Sequence, residues 1–196
     1  MRTPGRARTR GPIKQLDHRL MSRSVRVRSP GLDRALLTIT RAANYSRLWL
    51  LIASGLAACG GRQGRRAAGR GIAAIAIAAA VANGPAKLLV RRQRPSRRSL
   101  PTLIRMPRST SFPSGHSAAA FAFATGACAE LPVLAPVLAP LAGTVAYSRV
   151  HIGVHYPSDV AAGAAIGIGS GLLAKRLPPG VLQRRRAAYR RADLLA

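Results

Sequence analysis

The chain has 196 residues, with 32 Lys and Arg against five Asp and Glu, a formal net charge of +27. Apolar residues make up 48% and aromatics only 4%. That composition disfavours a water-soluble core and suits membrane helices, where small residues let backbones approach closely. The length fits one domain and leaves no room for a second enzyme.

The charge is clustered in the first 30 residues, in 61–70, in 91–108 and after 175. Basic clusters flanking nearly uncharged runs suit membrane borders next to anionic lipid better than a nucleic-acid-reading face, so no nucleic-acid partner is expected. Cys59 and Cys128 lie inside apolar runs and read as buried, inert thiols, with no metal-site spacing.

In chain order, residues 1–31 read as a basic, disordered arm, too poor in apolar residues to order itself and lacking the apolar core of a signal peptide. From Leu32 the spacing of Leu36, Leu37, Ile39 and Ala43 predicts a short amphipathic helix, with Asp33, Arg34 and Arg41 toward water. Leu48 to Cys59 is apolar and led by Trp49, an interface-type residue. Gly60 to Arg70 reads as a basic turn. Residues 71–90 form the clearest spanning segment, with only Lys87 charged.

Residues 91–112 are a polar loop. Segment 115–129 is apolar and rich in small residues. Segment 131–147 carries Pro132, Pro136 and Pro140 and reads as a kinked helix. A short loop at 149–158 precedes a Gly/Ala helix over 160–174. Residues 177–196 are a basic tail. The fold class expected is therefore all-α: an integral-membrane bundle of five to six helices over residues 32–176.

Three of the four His, namely His116, His151 and His155, lie at the edges of apolar segments. Asp159 follows His155 by four, the spacing that puts both on one helical face. A carboxylate there can fix the imidazole tautomer and leave the other nitrogen to attack; it can equally be a helix cap. Lys87, Arg94 and Arg149 stand at loop ends of separate apolar segments. Together they can clamp a tetrahedral oxyanion, although each alone suits a snorkelling membrane-border base. Ser114-Gly115-His116 opens a helix whose free N–H groups suit an anion, or is an ordinary Ser N-cap. The set provides what phosphoryl transfer through a phosphoenzyme needs: nucleophile, proton donor and fixed positive charge.

Three stretches resemble the signatures of the type 2 phosphatidic acid phosphatase (PAP2) superfamily. Lys87 to Pro95 matches KxxxxxxRP, Pro113 to His116 matches PSGH, and Ser148 to Asp159 matches SRxxxxxHxxxD. The stretch from Leu32 to Arg176 also looks like the phosphatase half of actinobacterial proteins that fuse this domain to a diacylglycerol-kinase-like one. The resemblance implies that His155 attacks phosphorus, Asp159 orients it, and His116 protonates the leaving oxygen. Lys87, Arg94, Ser114, Gly115 and Arg149 then hold phosphate, and neither metal nor cofactor is needed. His151 occupies a free motif position and receives no catalytic role.

The expected substrate is a lipid phosphate: phosphatidic acid, a polyprenyl pyrophosphate or a polyprenyl-linked sugar phosphate. A vanadium-dependent haloperoxidase and a non-enzymatic basic lipid-binding protein are the competing readings. The expected location is the cell membrane, multi-pass, with the site outside. The basic 61–70 and C-terminal segments favour that orientation, while the basic arm and 91–108 loop oppose it.

Overall fold

The computed structural model describes residues 11–95, 102–107 and 109–177. Eight α-helices occur among them: α1 (Pro12–Arg26), α2 (Pro30–Ala42), α3 (Arg47–Cys59), α4 (Gly61–Asn83), α5 (Pro85–Leu89), α6 (Gly115–Cys128), α7 (Ala135–His151) and α8 (Pro157–Arg176). Single 3₁₀ turns lie at Asn44–Ser46 and Pro132–Leu134. No strand occurs among the described residues. The all-α expectation therefore agrees with the structure. Two helical stretches, Gly61–Leu89 (α4 and α5, joined at Gly84) and Pro132–His151 (the 3₁₀ turn and α7), are long and apolar enough to cross a membrane.

Local chemistry explains where the helices start. Pro30 occupies the first turn of α2, where its missing N–H costs nothing, and the Ser29 side chain accepts from Leu32 N. Ser114 caps α6 by accepting from Ser117 N. Pro157 opens α8, and the Asp159 carboxylate reaches back to the backbone N–H of Tyr156.

α6 is the central helix and packs against α8, α4 and α7; α3 packs on α4, and α2 on α7. Three α8 glycines at four-residue spacing make the α6–α8 approach possible. A Cβ on Gly163 would stand 2.4 Å from Ser114 O, one on Gly167 2.4 Å from Ala118 O, and one on Gly171 2.5 Å from Thr125 Cβ. This is small-residue membrane-type packing, and it places the starts of α6 and α8 side by side.

Several expectations are corrected. The arm expected to be disordered is helical over Pro12–Arg26; residues 1–10 and the tail beyond Leu177 lie outside the described residues. α1 escaped detection because its buried face is Asp17, Met21 and Ser24, while Ile13, Leu16 and Leu20 are exposed. The basic turn at Gly60 to Arg70 is the first part of α4. Its Arg70 pairs with Glu130 and donates to the Lys175 carbonyl. Trp49 is not at an interface: it is fully buried, its ring 5.4 Å from that of Phe123. Cys59 is exposed and Cys128 half-buried, because α3 ends at Cys59 and α6 at Cys128. Asp33 does not point to water but pairs with His151 at 2.6 Å.

Candidate active site

The N-terminal end of α6, the C-terminal ends of α2, α4 and α7, the short α5, the Asn44–Tyr45 turn, His155 just before α8, and Arg94, Ile104, Arg105, Pro107, Ser109 and Pro113 surround one cavity of about 700 Å³. Six of the eight candidate residues line it: Lys87, Arg94, Gly115, His116, Arg149 and His155. Arg41 and Arg105 line it as well, and no Asp or Glu among the described residues does. Five cations among the described residues, with no described carboxylate facing them, form a site for a multiply charged anion.

Each cation is held differently. Arg94 is tethered on three sides. It donates from Nε to Ser109 O (2.9 Å), from Nη1 to Val154 O (2.9 Å), and from Nη2 to Ser109 Oγ and Thr110 O (both 3.1 Å). Lys87 donates to Asn83 Oδ1 at 2.8 Å, one turn back. Arg149 is buried; its Nη1 donates to Thr40 Oγ1 at 2.6 Å, while its buried Nε has no partner among the described residues. A buried guanidinium with a spare donor at a cavity wall is poised for an acceptor from outside.

His155 is buried at the cavity edge. Its Nε2 lies 3.1 Å from Arg94 Nη1. A guanidinium only donates, so Nε2 is the unprotonated nitrogen and Nδ1 carries the hydrogen. Nδ1 has no hydrogen-bond partner among the described residues; Asp159 Oδ2 stands 3.8 Å away, close enough for charge interaction but beyond hydrogen-bond distance. The His155 pKa is pushed down to about 4: burial is the main cause, Asp159 opposes it, and Arg94 and Arg149 add to it. The ring is therefore neutral near pH 7, with its lone pair facing the cations.

Asp159 is fully buried behind His155 and does not line the cavity. Its Oδ1 accepts from Arg92 Nη1 at 2.8 Å and its Oδ2 from Tyr156 N at 2.9 Å. Ser114 is also buried; its Oγ accepts from Ser117 Oγ at 2.9 Å, and its N–H donates to Asp159 O at 3.0 Å. Gly115 faces the cavity at the first turn of α6 and has open space where a Cβ would stand. His116 Nε2 meets Asn44 Oδ1 at 2.9 Å.

Sequence reasoning missed Arg41, Asn44, Arg92 and Arg105. Their side chains meet the site across long sequence separations that no local spacing encodes. His151 is buried away from the cavity, between Asp33 (2.6 Å) and the Ser24 and Tyr147 hydroxyls (both 3.5 Å). It ties α1 and α2 to α7.

A family model described as PAP2 superfamily matches residues 68–181. Curated relatives include the decaprenylphosphoryl-5-phosphoribose phosphatases of two Mycobacterium tuberculosis strains, CDC 1551 / Oshkosh and H37Rv. Each is 41% identical over 83 residues, a match covering 41% of this chain and 45% of the relative. The chain thus spans under half the length of the curated relatives it matches. Among solved structures, Aquifex aeolicus LpxE has a TM-score of 0.68 at 25% identity, covering 83% of this chain and 96% of that one. A transmembrane PAP2-type phosphatidylglycerolphosphate phosphatase from Bacillus subtilis has a TM-score of 0.66 at 24% identity, over 85% and 86%.

Proposed function

Because the chain belongs to the PAP2 superfamily, we propose that it is a membrane phosphatase cleaving a lipid-linked phosphomonoester or pyrophosphate through a phosphohistidine at His155. The observation that carries this reading is the neutral His155 Nε2 on the wall of a cavity that, among the described residues, is lined by five cations and no carboxylate.

In the first step the Nε2 lone pair attacks phosphorus in line with the leaving oxygen. The N–P bond forms, the P–O bond breaks, and His116 gives its proton to the departing alkoxide or phosphate. Arg94, Arg149 and Lys87 neutralise the equatorial oxygens, with the Gly115 N–H in the first turn of α6 as a further donor. In the second step water attacks phosphorus, His116 takes its proton, the N–P bond breaks, and inorganic phosphate leaves. Asp159 favours the tautomer with hydrogen on Nδ1 and stabilises the positive ring of the intermediate. No step uses a metal.

Two observations favour a polyprenyl-linked sugar phosphate among the lipid candidates. The named activity of the mycobacterial relatives is one. The other is space: the cavity exceeds the needs of a phosphate alone, and an adjoining groove of about 160 Å³ runs past Ile75, Ala78, Ala79 and Ala82 of α4. That groove shares Tyr45, Asn83, Gly115 and His116 with the cavity, so an apolar tail there stays attached to a phosphate at His155. We place the enzyme in the cell membrane with its cavity outside.

A phosphate-release screen across polyprenyl sugar phosphates, polyprenyl pyrophosphates and phosphatidic acid, with and without chelator, tests this. Activity should persist with chelator and vanish in His155→Ala protein that still inserts. Activity in that variant, or its loss on chelation, would refute the mechanism.

A further inference from the structure

We propose that Asp17, on the first helix, is a positioning residue for phosphoryl transfer, acting through Arg92 on Asp159 and so on His155. The proposal rests on the phosphohistidine reading above and extends it to a part of the chain no motif covers. Four of the five acids lie among the described residues, and each of the four has a cationic or histidine partner. Asp17 is the one among them that reaches the candidate nucleophile through a second carboxylate.

The geometry is continuous. Asp17 is 2% exposed. Its Oδ2 accepts from Arg92 Nη2 at 2.6 Å and from Ser158 Oγ at 2.7 Å, and its Oδ1 from Ser158 N at 2.9 Å. Arg92 Nη1 in turn donates to Asp159 Oδ1 at 2.8 Å and to Ser158 Oγ at 2.6 Å. The guanidinium carbon sits 4.1 Å from the Tyr156 ring centroid. One planar cation therefore bridges two carboxylates, each on its own fork, over an aromatic face that keeps the fork in plane.

Two effects on the reaction follow. Asp17 takes part of the Arg92 charge. Without it, Arg92 is neutralised by Asp159 alone, and less of the Asp159 charge remains to stabilise the positive His155 ring that forms on attack. Asp17 also accepts the Ser158 N–H, a free donor in the first turn of α8, and so fixes the turn that carries Asp159. Asp17 does not line the cavity, so its loss should act on turnover and not on substrate binding.

The test is steady-state phosphate release by full-length protein in detergent micelles, using the best substrate from the screen above. Asp17→Asn keeps the volume but sets an amide against the Arg92 donors. Its kcat should fall about 10- to 100-fold, the range typical of supporting-shell losses, with KM within about twofold. Asp17→Asn combined with Arg92→Gln should lose no more than the worse single variant, since both break one chain. Met21→Ala separates positioning from mere anchoring of the helix: Met21 is 1% exposed on the same face of α1 and sits in an apolar cluster with Val150, bordered by Val25, Tyr156 and Val160. Its thermal midpoint should drop while kcat stays within twofold of the parent. If Asp17→Asn does not accumulate, Arg92→Lys makes the same test, since an ammonium cannot fork to both carboxylates.

A kcat within twofold of the parent in Asp17→Asn, alongside an inactive His155→Ala, would overturn the proposal and spare the phosphatase reading. Parallel kcat losses in Met21→Ala and Asp17→Asn would overturn it too. Persisting activity in His155→Ala would remove the reading itself, and the proposal with it.

Discussion

The reactivity of His155 is set by what surrounds its two nitrogens. The Nε2 lone pair is kept by a donor, Arg94, that cannot accept; burial keeps the ring from charging until about pH 4. The sign of the pH effect follows. An unfolded His binds a proton below about 6.5, whereas this one binds it only near 4. Between those values the unfolded chain holds more protons, so the stability His155 contributes is complete above about 6.5 and is lost as pH falls through 4. In a proton NMR titration of free enzyme, the histidine resonance missing from His155→Asn should titrate near 4; a midpoint near 6.5 would contradict the buried, cation-flanked ring. The residues read from the sequence share the surroundings of this ring because their spacing is local or their motif contiguous: His155 with Asp159, Ser114 with His116. Arg92, Asn44 and Asp17 were not legible, since their partners lie 67, 72 and 141 positions away. The scarcity of acids was the available signal: Asp17 stands alone in a strongly basic stretch, and a lone acid there needs a reason.

At the level of elements, the site depends on how closely α8 lies along α6. Gly163 faces the Ser114 carbonyl so closely that a methyl group would collide with it at 2.4 Å. Gly163→Ala must therefore part the two helix starts and stretch the 3.0 Å bond from Ser114 N to Asp159 O. Overpacking of this kind costs about 1–3 kcal/mol, and activity should fall further than in variants of equal stability elsewhere. Gly169, on the same helix, has nothing within 4 Å of its would-be Cβ; Gly169→Ala should be neutral or stabilise by up to about 1 kcal/mol. Thermal melts and phosphate release on the two variants check both statements, and equal effects would deny the close-packing argument. Apolar periodicity revealed α2, α3, the apolar part of α4, α6, α7 and α8, because those helices bury or expose conventional faces. It could not reveal α1, which turns Asp17, Met21 and Ser24 inward and Ile13, Leu16 and Leu20 outward; a rule that sends polar residues to water reads such a helix as no helix. The start of α4 was missed for a related reason: its Arg and Gly residues look like a turn until Glu130 and the α8 carbonyls are seen to meet Arg70.

For the whole molecule, the opposing basic clusters separate into two kinds once they are placed on the bundle. At the cavity end, Arg92, Arg94 and Arg149 are tied to protein groups and Arg41 and Arg105 line the cavity, so much of that charge belongs to the site. At the other end Arg62, Arg65 and Arg66 begin α4 and Lys175 and Arg176 finish α8, where charge is free to choose the cytoplasmic face. This distribution supports the outward-facing cavity proposed above, and the molecule carries its own reporter. α3 starts at Arg47, beside the cavity residues Asn44 and Tyr45, and runs about 20 Å to the exposed Cys59 at the opposite end. In Cys128→Ser protein, Cys59 should react with a membrane-impermeant maleimide only after cells are permeabilised. A cysteine placed by Tyr45→Cys, at a position 86% exposed beside the cavity mouth, should react in intact cells when Cys59 and Cys128 are both replaced by Ser. The reverse pattern would put the cavity on the cytoplasmic side and limit its substrates to lipid phosphates presented there.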